Sequence, residues 1–300
     1  MEKYDRLQRV QKWIDACETE FSNRLNELAT NLLRCDGIRI LRLSGPTCSG
    51  KTTLANLLKA RFSEAGKRLH LISIDDFFYD KSFLHQKAGT QTVEALDYDS
   101  AATIDWEELS RFIREIFAEQ ESHCPIFSFH EGERIGYRAV SSREEDIFLF
   151  EGIQAFYPEF TACLKETDHE SIGVYIAPIR SLSVGNEVIE PNELRLMRRL
   201  VRDYNFRNSS PEHTFGLWAG VRRNEENNIF PHAIQSQYQI DSTMPYELGV
   251  LKPYLERILP EIPKESPYWD MAEKILALMR NVAPISSEMI SEQSLYREFI

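Results

Sequence analysis

The sequence predicts an α/β fold in which a parallel sheet lies between helices. Short apolar runs alternate along the chain with longer segments of helical periodicity, which is the pattern of βαβ units. Most of these runs are nearly continuous in apolar residues, as is typical of parallel strands covered on both faces. Strands are predicted at residues 38–43, 70–74, 125–129, 146–150, 171–176 and 238–241.

Helices are predicted after the first strand and over residues 104–117, 193–207, about 246–258 and about 268–279. Apolar residues within the first 33 positions recur at spacings of three and four, which predicts one or two amphipathic helices. Their polar face carries both signs of charge, so packing on the domain or on a second subunit is favoured over membrane binding. We expect three parts: an N-terminal helical segment (1–36), a central α/β domain (37–260) and a C-terminal helical extension (261–300).

Composition restricts the class of protein. The 300 residues are 42% apolar and 27% charged, which is ordinary for a soluble domain with a core. The net charge of −12 argues against nucleic-acid binding, which needs a basic surface. Five cysteines without metal-ligand spacing favour a reducing compartment without disulfides or zinc. Without a signal sequence or a run of about 18 apolar residues, we expect a cytoplasmic protein with no membrane partner.

One short motif predicts a specific site. Residues 45–52, GPTCSGKT, fit the phosphate-binding pattern G-x-x-x-x-G-K-[ST] at every fixed position, between a predicted strand and a predicted helix. Glycines let the backbone N–H groups converge on an anion, and the helix N-terminus favours negative charge. A chance glycine-rich turn does not account for both flanks. We therefore predict that ATP and Mg²⁺ bind at Gly45, Pro46, Thr47, Cys48, Ser49, Gly50, Lys51, Thr52 and Thr53, with Lys51 reaching the β- and γ-phosphates and Thr52 ligating the metal.

Acidic residues follow two of the predicted strands. Asp75 and Asp76 come after the second strand, and Glu151 follows the strand at 146–150. Ligands of open parallel sheets bind beyond the carboxyl ends of the strands, so Asp75 is a candidate general base and Glu151 a candidate metal ligand. The alternatives are a helix cap for Asp75 and a plain surface acid for Glu151.

A basic helix is predicted at residues 193–207. Arg195, Arg198, Arg199 and Arg202 lie at i, i+3, i+4 and i+7, so they share one face. The face is either solvated or part of a lid, over about residues 191–225, that closes on phosphates. On so acidic a protein, an uncompensated cationic face indicates an anion nearby.

Six segments in this order, GPTCSGKTT, SIDDFF, DYDSAATID, PIFSF, FLFEGIQAF and RLMRRLVRD, resemble the uridine kinase branch of the uridine kinase/phosphoribulokinase family. The resemblance is closest to bacterial uridine kinase-like proteins. It runs from about residue 38 to the ending LYREFI. It implies a P-loop NTPase fold and ATP- and Mg²⁺-dependent phosphoryl transfer to the 5′-hydroxyl of a nucleoside, uridine or cytidine. The sequence leaves open whether the protein forms a homo-oligomer.

The resemblance also implies roles for individual residues. The base that receives the proton of the acceptor hydroxyl would be Asp75, and Lys51 and Arg202 would serve catalysis at the phosphates. The remaining implied roles are ribose-hydroxyl binding by Asp99, a place in the metal shell for Glu151, and substrate or phosphate contact by Arg195 and Arg198.

The predicted acceptor strand departs from the family pattern P-x-Y-D-F. Phe127 and Ser128 replace its Tyr and Asp, and the position of a base-recognising His falls at Gly132. Phe127 keeps an aromatic face on which a base can stack, so it is expected to bind the acceptor. Because missing polar groups change discrimination strongly, two alternatives stay open. One is a kinase of another polyol, vitamin or sugar phosphate, and the other is a regulatory protein that binds ATP without turnover.

Overall fold

The computed structural model describes residues 2–88, 100–234 and 236–300. Within these ranges the strands are β1 (Ile40–Ser44), β2 (Leu69–Ser73), β3 (Glu121–Ser128), β4 (Glu133–Ser141), β5 (Ile147–Glu151), β6 (Ser171–Ala177), β7 (Leu182–Val184), β8 (Glu187–Ile189) and β9 (Tyr238–Asp241). The helices are α1 (Glu2–Leu33), α2 (Lys51–Glu64), α3 (Lys81–Ala88), α4 (Trp106–Ala118), α5 (Pro158–Leu164), α6 (Pro191–Arg207), α7 (Pro211–Asn224), α8 (Phe230–Ala233), α9 (Glu247–Ile258) and α10 (Trp269–Met279).

The central sheet confirms the predicted fold class. Its five strands are all parallel, in the order β2-β5-β1-β6-β9. Every residue of β1 is buried, because helices cover both faces of the sheet. This is the reason that the strand segments read as unbroken apolar runs.

Strand register brings the predicted site residues to one edge. Glu151, at the end of β5, pairs with Leu43 of β1 and with Ser73 of β2. The glycine-rich loop leaves the sheet directly after β1, and Asp75 follows directly after β2. The loop, Asp75 and Glu151 therefore meet at the carboxyl edge of three neighbouring strands.

The predicted N-terminal helix is a single long helix, α1, which packs on the central domain. Phe21, Leu25 and Leu28 of α1 belong to the same buried cluster as Leu58 of α2 and Tyr296 near the C-terminus. The hydrophobic face of α1 is thus covered by this chain itself. No helix in the described ranges is long and apolar enough to cross a membrane.

Residues 125–129 were expected to add a strand to the parallel sheet, but the structure differs. They end a longer strand, β3, which pairs antiparallel with β4 in a separate hairpin. The turn uses Gly132 at φ 73°, a left-handed conformation that glycine adopts without strain. The hairpin packs on the parallel sheet through Cys124, Phe127 and Val140, which lie in one cluster with the strand residue Phe150.

Candidate functional site

The loop at residues 45–50 is held in a conformation that needs its two glycines. A Cβ on Gly45 would lie 2.1 Å from the carbonyl oxygen of Ile176. Gly50 has φ 94° and a Cβ there would collide with the side chain of Leu295. Cys48 also has a positive φ, 57°, which is uncommon for a non-glycine residue. The motif thus produces a tightly wound turn that ends at the first residue of α2.

Two guanidinium groups bind the carbonyl side of this loop. Arg195 donates to the carbonyl oxygen of Thr47 at 3.3 Å, and Arg198 donates to that of Cys48 at 3.2 Å. In a trans peptide the N–H points opposite to the C=O, and the described ranges contain no cis peptide. The N–H groups of Cys48 and Ser49 therefore point away from the arginines, as a nest for an anion requires.

The side chains on the loop fit a triphosphate with Mg²⁺. The Ser49 hydroxyl is buried without a hydrogen-bond partner among the described residues. Lys51 Nζ donates to the carbonyl oxygens of Gly45 and Pro46 at 2.9 and 3.1 Å, where a phosphate oxygen can replace them. The Thr52 side chain is exposed in the first turn of α2. In the described ranges no group of three or more His, Cys, Asp or Glu could hold a metal, but Mg²⁺ keeps several waters and needs only one or two protein oxygens.

Two carboxylates face Lys51 across the edge of the sheet. Burial raises the pKa of Asp75 to about 7, the Glu151 charge adds to the rise, and Lys51 and Arg207 oppose it. Burial also raises the pKa of Glu151, again opposed by Lys51. Ser73 donates to Glu151 Oε1 at 3.4 Å. A base that titrates near neutral pH suits proton abstraction from a hydroxyl, and a cation close to both carboxylates would relieve their repulsion.

Replacing Glu151 tests this electrostatic coupling. Because the Glu151 charge raises the pKa of Asp75, Glu151→Gln is expected to lower that pKa. The acid limb of the kcat/KM profile should then move to lower pH. The Mg²⁺ concentration for half-maximal rate should rise, because a metal-shell contact is weakened.

The control for this prediction is Glu145→Gln, which removes an exposed carboxylate that pairs with Lys67. It should change neither the pH profile nor the Mg²⁺ requirement. If added Mg²⁺ rescues Asp75→Asn but not Glu151→Gln, the base and the metal ligand have been assigned the wrong way round.

The arginine face of α6 is buried, and its charges are paired with carboxylates. The structure therefore corrects the expectation of a solvated face and the expectation of an uncompensated cationic face. Arg195 and Arg198 are 2% and 0% exposed, and Arg202 is 9% exposed. The carboxylate partners are Glu225 for Arg195, Glu247 for Arg198, and Asp203 for Arg199 and Arg202. A buried cation requires such a partner because desolvation is costly.

In this structure Arg198 is engaged by the protein itself, and its predicted contact with substrate or phosphate stays a prediction. Its guanidinium donates to Glu247, Cys48 O, both oxygens of Ser242 and the Tyr296 hydroxyl. These acceptors engage every N–H of the group. Arg195 is likewise engaged by Thr47 O and Glu225. The structure places both side chains on the carbonyl side of the loop.

Arg202 and Arg207 lie further along α6, toward its C-terminal end. Arg202 binds Asp203 through Nε and Nη2 at 2.9 and 2.6 Å. Its charge interacts with Cys48 of the loop. Arg207, in the last turn of α6, acts on both Cys48 and Asp75. The sequence singled out Arg202 but not Arg207, which lies off the i, i+3, i+4, i+7 face. Whether this part of the helix moves as a lid stays a prediction.

The β3–β4 hairpin borders the two aspartates. Asp76 Oδ1 accepts a hydrogen bond from the backbone N–H of Phe127 at 3.3 Å. The Phe127 ring is only 8% exposed and packs against Phe78 and Phe129. Phe129 is 63% exposed. Phe127, which is expected to bind the acceptor, is thus largely used in the core, and Phe129 is the exposed ring beside it.

One predicted site residue could not be placed, and one residue beside the loop was missed. Asp99, expected to bind ribose hydroxyls, lies outside the described residues. Glu298 was not singled out from the sequence, although it accepts a hydrogen bond from the Thr53 hydroxyl at 2.9 Å. Its only signal was the resemblance of the ending LYREFI, which carries no chemical motif.

A parallel sheet with this glycine-rich loop after its central strand, followed by a helix, defines a P-loop NTPase fold. Residues 40–244 match the model of the Phosphoribulokinase / Uridine kinase family. The chain belongs to that family. It is therefore a P-loop kinase of small molecules, and such kinases use ATP together with Mg²⁺.

The individual proteins that the chain resembles share only low sequence identity with it. The chain is 25% identical over 179 residues to a uridine kinase of Ureaplasma urealyticum, which covers 60% of this chain and 75% of that protein. It is 28% identical over 171 residues to a uridine kinase of Schizosaccharomyces pombe, covering 57% of this chain and 33% of that protein. The solved structure of the YGR205w protein superimposes with a TM-score of 0.50 at 15% identity, covering 67% of this chain and 81% of that one.

Proposed function

We propose that this protein transfers the γ-phosphoryl group of ATP to the 5′-hydroxyl of a nucleoside, as a cytoplasmic uridine/cytidine kinase-like enzyme. The observation that carries the proposal is the placement of Asp75. It follows β2 at the sheet edge that also carries the phosphate loop and Glu151, and its neighbour Asp76 accepts a hydrogen bond from Phe127 of the hairpin. Its pKa of about 7 suits a general base. The relatives named as uridine kinases support a nucleoside as the acceptor.

In this proposal the residues of the chain mainly bind and orient the two substrates. The loop N–H groups and Lys51 bind the phosphates, and Thr52 and Glu151 hold Mg²⁺, which supplies charge neutralisation when bound. Asp75 Oδ accepts the proton of the acceptor hydroxyl. Arg202, whose guanidinium is close to the loop, stabilises the transferring phosphoryl group.

The hairpin supplies the acceptor side of the proposed site. Phe129 projects an exposed ring next to Phe78 and Phe127, with ring centroids 5.8 and 5.4 Å away. A planar base can stack on such a ring. Ser128 Oγ accepts from the N–H of Glu131 within the turn, so this serine serves the turn. Asp99 remains proposed for the vicinal hydroxyls.

One observation favours a second kind of acceptor. Arg138 of β4 lies 3.7 Å from Asp76 and is 40% exposed. A guanidinium at this position suits an anionic group, such as the phosphate of a sugar phosphate. In that case the same base and loop would serve a kinase of a smaller, charged polyol.

The experiment is an ADP-release assay with a panel of nucleosides, sugars, sugar phosphates and vitamins. We expect uridine or cytidine to give the highest kcat/KM. Phe129→Ala should raise the KM for the nucleoside by about 5–30-fold, the scale of one stacking contact, and leave the KM for ATP unchanged. Tyr137→Ala removes another exposed ring of the hairpin and is the matched control.

Turnover of sugar phosphates alone, lost in Arg138→Ala, would establish the second acceptor class. Nucleotide binding without turnover of any hydroxyl compound would instead support the regulatory alternative. Both outcomes contradict the nucleoside kinase proposal.

A further inference from the structure

The end of the chain packs directly on the phosphate-binding loop. We call residues 294–299 the tail segment. Its Leu295 side chain fills the space beside Gly50, so that a Cβ built on Gly50 would lie 2.4 Å from Leu295 Cδ1. Its Glu298 accepts a hydrogen bond from Thr53 Oγ1 at 2.9 Å. Thr53 belongs to the first turn of α2, next to Thr52 and Lys51.

Arg198 joins the tail segment to the loop from the other side. Its Nη1 donates to the carbonyl oxygen of Cys48 at 3.2 Å, and its Nη2 donates to the Tyr296 hydroxyl at 2.7 Å. The same guanidinium stacks on the rings of Tyr296 and Phe299, with centroids at 5.1 and 5.3 Å. Tyr296 and Phe299 are fully buried. The tail segment is thus anchored by its buried rings. Its side chains meet Gly50 of the loop and Thr53 of α2 directly, and they are linked to Cys48 through Arg198.

We propose that the tail segment is a positioning element of the nucleotide site, with Glu298 acting through Thr53 and Tyr296 acting through Arg198. A loop that receives phosphates must hold its N–H groups and its first-turn side chains in the bound geometry. Contacts that fix this geometry beforehand lower the ordering cost of binding. Glu298 holds the first turn of α2, while Arg198 and Tyr296 hold the peptide between Cys48 and Ser49. The proposal rests on nucleotide binding by the loop and not on the identity of the acceptor.

The test is the dissociation constant of Mg²⁺–ADP, measured by calorimetry without any acceptor. Glu298→Ala is expected to weaken binding by about 5–20-fold, because a hydrogen bond to a charged group is lost. Glu298→Gln should restore most of the affinity, since its amide oxygen can accept from Thr53. Glu292→Ala is the matched control, because Glu292 lies in the same C-terminal stretch, is 89% exposed and pairs only with Arg297 among the described residues.

A double-mutant cycle with Thr53→Val examines whether Glu298 acts through Thr53. If it does, the double variant Thr53→Val/Glu298→Ala binds about as tightly as Thr53→Val alone. Tyr296→Phe removes only the hydroxyl that Arg198 binds, and it should increase amide hydrogen exchange at residues 47–50 without a comparable increase in α10. Additive effects in the cycle, or unchanged exchange in the loop, would contradict the positioning role.

Two further outcomes would overturn the proposal. Wild-type affinity in Glu298→Ala would mean that the contact with Thr53 does not matter for binding. Tighter binding in Glu298→Ala would mean that the carboxylate competes with a phosphate for Thr53. The measurement needs no acceptor. The binding results would therefore still test the tail segment if the assignment of a nucleoside as acceptor proved wrong.

Discussion

Lys51→Ala is expected to reduce the rate of phosphoryl transfer by about 10²–10³-fold, the usual cost of removing one positioned charge donor. The Lys51 ammonium is partly exposed and bonds to the carbonyl oxygens of Gly45 and Pro46. It contributes no apolar core contact, so the temperature of unfolding should change little. The measurement is single-turnover transfer to the best acceptor from the panel, together with thermal unfolding of both proteins.

This variant should also change the pH dependence of any residual activity. Lys51 lowers the pKa of both Asp75 and Glu151, so its removal should shift the acid limb of kcat/KM to higher pH. Lys59→Ala, on the exposed side of α2, is the control and should match the wild type in both respects. A Lys51→Ala protein that turns over ATP at the wild-type rate would refute the assignment of the loop as the phosphate site.

Local patterns in the sequence were sufficient to predict the central part of the fold. The motif at residues 45–52 predicts β1, the loop and α2 together, because its glycines, lysine and threonine each have a steric or chemical reason for their positions. The parallel arrangement of the sheet follows from continuous apolar strands. Asp75 and Glu151 were found because residues after parallel strands meet at one edge, and the register of β1, β2 and β5 brings them there.

The environment of the arginines could not be predicted in the same way. Helical spacing shows that Arg195, Arg198 and Arg202 share a face, but it does not show what covers that face. The partners of Arg195 and Arg198, which are Glu225 and Glu247, come from segments 30 and 49 residues further along the chain. A buried cation and an exposed cation have the same sequence signal, and only the tertiary structure distinguishes them.

The β3–β4 hairpin was also not predictable from the sequence. Residues 125–129 read as one more buried strand, and the partner strand β4 has alternating exposure that gives a weak apolar signal. The departures at Phe127 and Ser128 were therefore weighed as changes in an acceptor pocket. In the structure one is a core residue and the other serves the turn. Phe129, two residues further on, is 63% exposed and is the ring that we propose for the acceptor.

Asp75→Asn is expected to abolish most of the turnover, by about 10²–10⁴-fold in kcat, because the amide cannot accept the proton of the acceptor hydroxyl. The affinity for Mg²⁺–ADP should change little, since the base acts on the acceptor and not on the donor nucleotide. In the wild type, kcat/KM should fall as the pH is lowered through about 7, where Asp75 becomes protonated. Asp36→Asn, which changes an exposed aspartate after α1, is the control for both measurements.

The same substitution should stabilise the fold at neutral and alkaline pH. Burial raises the pKa of Asp75 from 3.8 to about 7, so the folded state binds this proton more tightly than the unfolded state. The charged carboxylate therefore costs stability increasingly as the pH rises from about 4 to about 7, and the cost is complete above that range. Asp75→Asn removes it, and unfolding at pH 8 should become less favourable by up to about 4 kcal/mol. The gain should disappear below about pH 3, where both states of the wild type carry the proton. Equal stability of the two proteins at pH 8 would show that Asp75 is well hydrated, and a base with an ordinary pKa would then have to perform the transfer.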